Sequence, residues 1–336
     1  MSGNMLRTTS SEKALGGYFE WEPTPGGEPI HLNARLALKS GRSCVRCLLD
    51  VERPSAVWVP FYCCDALLEP FDAAGVAVKR YAIGPDLAVD PSVKMADAER
   101  IVVINYFGLQ NAQIAAAEER WREHVWVDNT QAFFHRPESP QAFDCNSARK
   151  FLGVPDGGYL YGPPSAVLPA AETWQRNANY RFEHLILRGQ GDISEGRGIF
   201  EENERRNGEG IERMSRLSEA MLARINFAQT AQIRRENFQT LHATLAGRNR
   251  LPPDLLTLDA DTVPYCYPYL PRRPIAHRYL WDRQIFAPRL WVECAANPAR
   301  GFEWEQDLAR NLLPLPIDQR YGRAEMQRIL EVLDDC

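Results

Sequence analysis

No run of about 18 consecutive apolar residues occurs in the sequence, so no membrane-spanning helix is expected. The first stretch, Met1 to Lys13, is polar and lacks the apolar segment that marks a secretory signal. Positive charge is not in surplus: 39 Lys and Arg stand against 44 Asp and Glu, a net charge of -5. General nucleic-acid binding and attachment to an anionic membrane surface both need a basic excess, so neither is expected. Glycine (22) and proline (24) are too few and too scattered for a collagen-like or low-complexity chain, and no internal repeat is visible. Cysteine occurs eight times, as Cys44, Cys47, Cys63, Cys64, Cys145, Cys266, Cys294 and Cys336. No knuckle glycines flank the first four, and Cys44 and Cys47 fall inside a helical pattern. The expectation is free, mostly buried thiols in a cytoplasmic protein, with no bound metal.

What is present is enough apolar residue for a core. The chain has 336 residues, 45% hydrophobic and 25% charged, which at about 150 residues per domain predicts two domains, or one large domain with a smaller one attached. Val57–Val59 reads as a strand ended by Pro60, Asp65–Ala74 as a helix stopped by Gly75, and 76–83 as a strand. The run Ile101–Asn105 is nearly all apolar, as in a central parallel strand covered on both faces. Asn111–His124 has helical spacing with Ile114, Ala115 and Trp121 on its apolar side, and Val125–Val127 is the next strand. This β-α-β-α order predicts an α/β fold, a mostly parallel sheet sandwiched between helices. From Arg181 to Glu212 the Gly-, Glu- and Arg-rich composition predicts a surface excursion. Arg213–Leu245 reads as one long helical stretch, and Arg323–Leu333 as a final amphipathic helix.

In such a sheet, ligands sit beyond the carboxyl ends of the strands. Four segments stand there. Lys39-Ser40-Gly41-Arg42-Ser43 opens a helix, either as a plain N-cap or as a phosphate cradle built on exposed N–H groups. Asp128-Asn129-Thr130-Gln131 follows V-W-V and places a carboxylate at a buried strand end, as a cap, a core ion pair or a functional acid. Asn146 to Lys150, followed by Gly157-Gly158 and an apolar strand, suits a Schiff-base lysine with Ser147 three residues before it; a lone lysine is otherwise a solvated charge. Asn105 to Gly108 is a substrate-side loop or aromatic core packing. Taken together, an anion site, a carboxylate for a ring nitrogen and a lysine for an imine are the parts that pyridoxal 5'-phosphate (PLP) requires. They occur in that chain order, at 40–43, 128 and 150.

These segments resemble the DegT/DnrJ/StrS sugar aminotransferases, PLP enzymes of fold type I. The resemblance covers most of the chain: S-G-R-S-C-V-R-C-L-L, V-W-V-P-F-Y, V-D-N-T-Q-A-F-F, S-A-R-K-F-L-G-V-P-D-G-G-Y-L, E-R-M-S-R-L and L-L-P-L-P-I-D-Q-R-Y-G. It implies a large PLP-binding α/β/α domain over 1–225, a long connecting helix about 211–246, and a small α+β domain over 226–336. It also implies a homodimer, and transfer of an amino group, with glutamate as donor, to a nucleotide-linked keto-sugar. Lys150 would bind the cofactor and shuttle the proton, Asp128 would face the ring nitrogen, and Gln131 would lie near the phenolic oxygen. Gly41, Arg42 and Ser43 would form the phosphate turn, with Ser147 as the nearest hydroxyl. A lysine at 150, where sugar dehydratases of the group carry His, implies transamination.

Three positions depart from the family pattern. Cys64 stands where an aromatic stacks on the ring, Cys145 where a Ser is frequent, and Ile211 where an Asn reaches the partner subunit. Tyr62 and Phe133 are the alternative ring partners. Two other readings follow: a lyase, racemase or decarboxylase on the same scaffold, with Arg181, Arg283 or Arg289 clamping a carboxylate, and a non-catalytic paralogue. Arg188, Arg197 and His184 are candidates for a pyrophosphate contact, and His277, Trp281 and Trp291 for a sugar site; solvated loop and core roles are the alternatives.

Overall fold

Alternation of apolar runs with helical patterns between residues 36 and 161 produces one seven-stranded sheet. The computed structural model describes residues 15–19, 28–137, 141–297 and 299–336, so the expectation for Met1 to Lys13 lies outside the described residues. The first elements are β1 (Leu15–Gly16), β2 (Leu36–Leu38), α1 (Gly41–Glu52), β3 (Ala56–Pro60), α2 (Asp65–Ala74) and β4 (Ala77–Tyr81). Then come β5 (Glu99–Ile104), α3 (Asn111–Trp121), β6 (Val125–Asn129), β7 (Phe143–Asn146) and β8 (Gly158–Tyr161). The sheet order is β2-β8-β7-β6-β5-β3-β4. All pairings are parallel except those of β8, which runs against both neighbours. This is the expected mostly parallel α/β sheet. All five residues of β6 are buried, and β5 is buried apart from Arg100, so the apolar runs are those of doubly covered strands.

The helices obey local rules. Helix α1 starts at the Ser40 N-cap and buries Cys44, Val45, Cys47, Leu48 and Leu49 on one side. Helix α2 stops where Gly75 takes φ 66°, a left-handed turn that costs glycine little. Helix α3 buries Ile114 and Ala117, whereas Ala115 of the expected apolar side is exposed.

The later elements are α4 (Glu183–Gln190), α5 (Ile193–Asn207), α6 (Arg216–Leu222), α7 (Phe227–Leu245), β9 (Tyr267–Tyr269), α8 (His277–Trp281) and β10 (Ile285–Phe286). They end with α9 (Val292–Ala296), α10 (Glu303–Asn311), β11 (Leu313–Leu315) and α11 (Arg323–Asp334). Two expectations are corrected here. The excursion over 181–212 is a pair of packed helices, α4 and α5, because polar side chains inside it find buried partners: Asn203 and Asn207 donate to the Pro155 carbonyl at 2.6 and 2.9 Å, and Arg188 donates to that of Gly16 at 2.8 Å. The stretch 213–245 is two helices, because Ser215 and Asn226 act as separate N-caps, accepting from Ser218 N and Gln229 N. The final helix is present as expected.

Strand β1 pairs with β10, and β9 with β11, so the first described residues join the C-terminal region. A second apolar cluster, including Phe133, Phe151, Leu152, Met214 and Phe227, packs the turn after β7 against α6 and α7. Asp156 ties the same parts together, accepting from Ser215 N, Ser215 Oγ and Asn177 Nδ2 at 2.7–2.9 Å and from the Ser218 hydroxyl. Among the described residues no helix is long and apolar enough to cross a membrane.

Candidate active site

Strands β6 and β7 lie side by side in parallel, with Asp128 opposite Cys145 and Asn129 opposite Asn146. Their carboxyl ends therefore deliver Asp128 and, one turn further, Lys150 to a single sheet edge. Asp128 is buried; its Oδ1 accepts from Thr130 N at 2.8 Å, and Oδ2 has no protein donor among the described residues. Lys150 is half-buried in the short 3-10 turn Ala148–Lys150, and its Nζ donates to Thr130 Oγ1 at 2.9 Å. Acid and amine are not ion-paired; Thr130 stands between them, its main chain on one and its side chain on the other. Nothing in the D-N-T-Q segment singles out Thr130 from its neighbours.

The start of α1 closes the same edge. A Cβ on Gly41 would lie 3.0 Å from Thr130 Cγ2, and one on Gly158 would lie 2.7 Å from Ser40 C and 2.9 Å from Gly41 N. Glycine at 158 thus lets β8 begin against the helix start. The N–H groups of Gly41 and Arg42 have no acceptor among the described residues, and the helix dipole makes this end attractive to an anion. Ser147 is buried nearby in chain and fold, and its hydroxyl has no hydrogen bond among the described residues.

The side chains of the turn are used otherwise. Ser40 Oγ caps Ser43 N at 3.2 Å and donates to the Asn207 carbonyl at 2.7 Å; Ser43 Oγ donates to that of Gly210 at 3.1 Å. Arg42 pairs with Glu69 at 2.8 Å and reaches the Glu204 carbonyl. Both the N–H and the hydroxyl of Ser43, expected in the phosphate turn, are bonded within the fold. Gln131 is also engaged, its Oε1 accepting from Phe107 N at 2.9 Å, where Phe107 takes the strained φ of 60°.

Beneath the edge runs a polar network that the sequence did not suggest. Asn105 Nδ2 donates to Asn129 Oδ1 at 2.8 Å, and Asn129 Nδ2 donates to Asp144. Burial pushes the Asp144 carboxyl well above the usual carboxylate range. The Lys150 turn is held from the other side as well: the Phe151 carbonyl accepts from Gln319 Nε2 at 2.8 Å and from Arg234 at 3.1 Å, and the fully buried Arg234 guanidinium lies 4.6 Å from the Phe151 ring centroid.

Burial raises the thiols of Cys64 and Cys145; Asp128 raises both further, while Lys150 opposes this. Cys64 is half-buried. Tyr62 stacks edge-on against Trp291 at 4.3 Å, and Phe133 sits edge-on to His31 at 4.4 Å. Ile211 packs on the main core. The remaining candidates are dispersed. Arg188 and His184 are buried around Tyr18, Arg197 pairs with Glu201 on the surface, and Arg181 pairs with Glu183 and Glu202. Arg283 lies over Tyr279, Trp281 donates to the Ala287 carbonyl at 2.8 Å, His277 is buried, and Arg289 is exposed. All eight cysteines are free, and among the described residues no three His, Cys, Asp or Glu side chains group as metal ligands.

Neither a family model nor a curated protein matches the sequence. Solved structures do. The sugar aminotransferase CalS13 from Micromonospora echinospora is 14% identical, with 89% of this chain and 86% of that chain covered at a TM-score of 0.60. A DegT DnrJ EryC1 StrS aminotransferase from Brucella abortus is 14% identical, with 89% and 85% covered at 0.58. DesV from S. venezuelae, solved with a ketimine intermediate, is 17% identical, with 89% and 84% covered at 0.60. At these identities the likeness establishes architecture: the chain has the α/β fold found in these sugar aminotransferases.

Proposed function

We propose that the chain is a PLP-dependent aminotransferase. The observation that carries this reading is the pairing of Lys150 and Asp128 on adjacent strand ends, beside uncommitted N–H groups at the start of α1. When bound, PLP supplies an aldehyde for an amine and a ring that withdraws electrons from the carbon bearing a substrate amine. The chain supplies the rest. Asp128 Oδ2, without a protein donor among the described residues, would keep a proton on the ring nitrogen. The N–H groups of Gly41 and Arg42, with the Ser147 hydroxyl, would hold the phosphate. Lys150 Nζ would hold the cofactor by its aldehyde carbon and would be the group that moves a proton at the substrate carbon.

The acceptor in this reading is a nucleotide-linked keto-sugar and the donor glutamate; the likeness to structures described as sugar aminotransferases supports the sugar part of it. A homodimer, a domain boundary near the α6–α7 turn and a cytoplasmic setting, the last in keeping with eight free thiols, belong to the same proposal. The test is a half-reaction. Protein loaded with PLP and mixed with glutamate is expected to form one equivalent of pyridoxamine phosphate per chain, and Lys150→Ala none. Retention of PLP without any pyridoxamine phosphate would sink the transaminase reading.

A further inference from the structure

An acid and an amine brought to one buried edge attract each other strongly, because few waters screen them. A direct contact would fix Lys150 as an ammonium and occupy the carboxylate. The structure has no such contact: Lys150 and Asp128 form no ion pair, and each is bound to a different part of Thr130. The main-chain N–H of Thr130 fixes Asp128 Oδ1 at 2.8 Å, and its hydroxyl takes Lys150 Nζ at 2.9 Å. The methyl of the same side chain faces Gly41, where the absence of a Cβ leaves it room. Thr130 thus binds the acid through its main chain and the amine through its hydroxyl.

We propose that Thr130 is a positioning residue, a spacer that keeps the Lys150 amine off the Asp128 carboxylate. The purpose of this spacing rests on the proposed function; the spacing itself does not. Thr130 leaves Asp128 Oδ2 and the Lys150 amine separately available.

The experiment uses the cofactor-free chain. Lys150 is labelled with formaldehyde and cyanoborohydride, its rate is read by peptide mass spectrometry, and the exposed Lys94 serves as internal reference. Thr130→Val keeps shape and removes the acceptor. Its Lys150 is expected to label about tenfold more slowly than wild type, because an amine held against a carboxylate is a poorer nucleophile. Thr130→Ser is expected to label at the wild-type rate, and the double variant Thr130→Val with Asp128→Asn to recover it, since the acid that captures the amine is gone. A Thr130→Val rate equal to or above wild type overturns the proposal, as does slow labelling that persists in the double variant. If the labelling pattern holds but the unaltered protein takes up no PLP, the spacer stands and the proposed function falls.

Discussion

Asp128 is the residue at which sequence and structure meet most directly. Its position after V-W-V marked a buried carboxylate, and among the described residues one of its oxygens has no protein donor. Opposite charges about 4 Å apart at an effective dielectric of about 20 attract by about 4 kcal/mol, which is why the interposed Thr130 matters. The lysine and acid were legible because few residue types can do their chemistry. The commitments of Ser43 and Gln131 were not, since their partners lie 167 and 24 residues away in the chain. Asp144 was missed because an acid inside a strand usually marks an exposed face, whereas this one is buried under an asparagine network.

His31 gives a separate prediction at this scale. Burial, reinforced by Arg136, lowers its pKa to about 3, and the Tyr161 hydroxyl binds its Nδ1. The unfolded chain takes up this proton near pH 6.5, the folded chain only near 3. The stability contribution is complete above 6.5 and is lost as pH falls through that window, by about 1.4 kcal/mol per unit for one such group. His184, lowered to about 4 by burial and then Arg149, adds to the same slope. Urea unfolding of His31→Gln between pH 6 and pH 4 should show a shallower loss of stability than wild type; an unchanged slope would mean that His31 protonates in the folded chain as it does unfolded.

Among the elements, α1 and β8 determine the shape of the site. Their contact depends on Gly158, whose added Cβ would strike main-chain atoms of Ser40 and Gly41 that no rotamer can move. Gly158→Ala is expected to lose about 1–3 kcal/mol of stability and to weaken PLP binding, because the shift falls on the N–H groups at the helix start. Calorimetry with and without PLP checks both; unchanged cofactor affinity would place the phosphate elsewhere. The glycine pair was readable as a motif. The helices α4 and α5 were not, because their sequence is polar on most sides and they are held by side-chain bonds to distant carbonyls rather than by an apolar stripe.

Over the whole molecule, the parallel sheet was legible from the order of apolar runs and helices, since doubly covered strands leave a strong pattern. The closing contacts were not: two-residue strands such as β1 and β10 carry no periodicity, and the buried Arg234 that grips the Phe151 carbonyl from α7 looks like any charged helix residue. These contacts join the C-terminal region to the turn that bears Lys150. The chain has only five lysines, and of the other four Lys39 and Lys79 are ion-paired with Glu212 and Glu99 and Lys94 is exposed. Borohydride reduction of the protein with one equivalent of PLP, followed by peptide mapping, therefore tests the account most directly. The phosphopyridoxyl group should appear on Lys150, one per chain. A group spread over Lys94 and other lysines, or absent from Lys150, would contradict it.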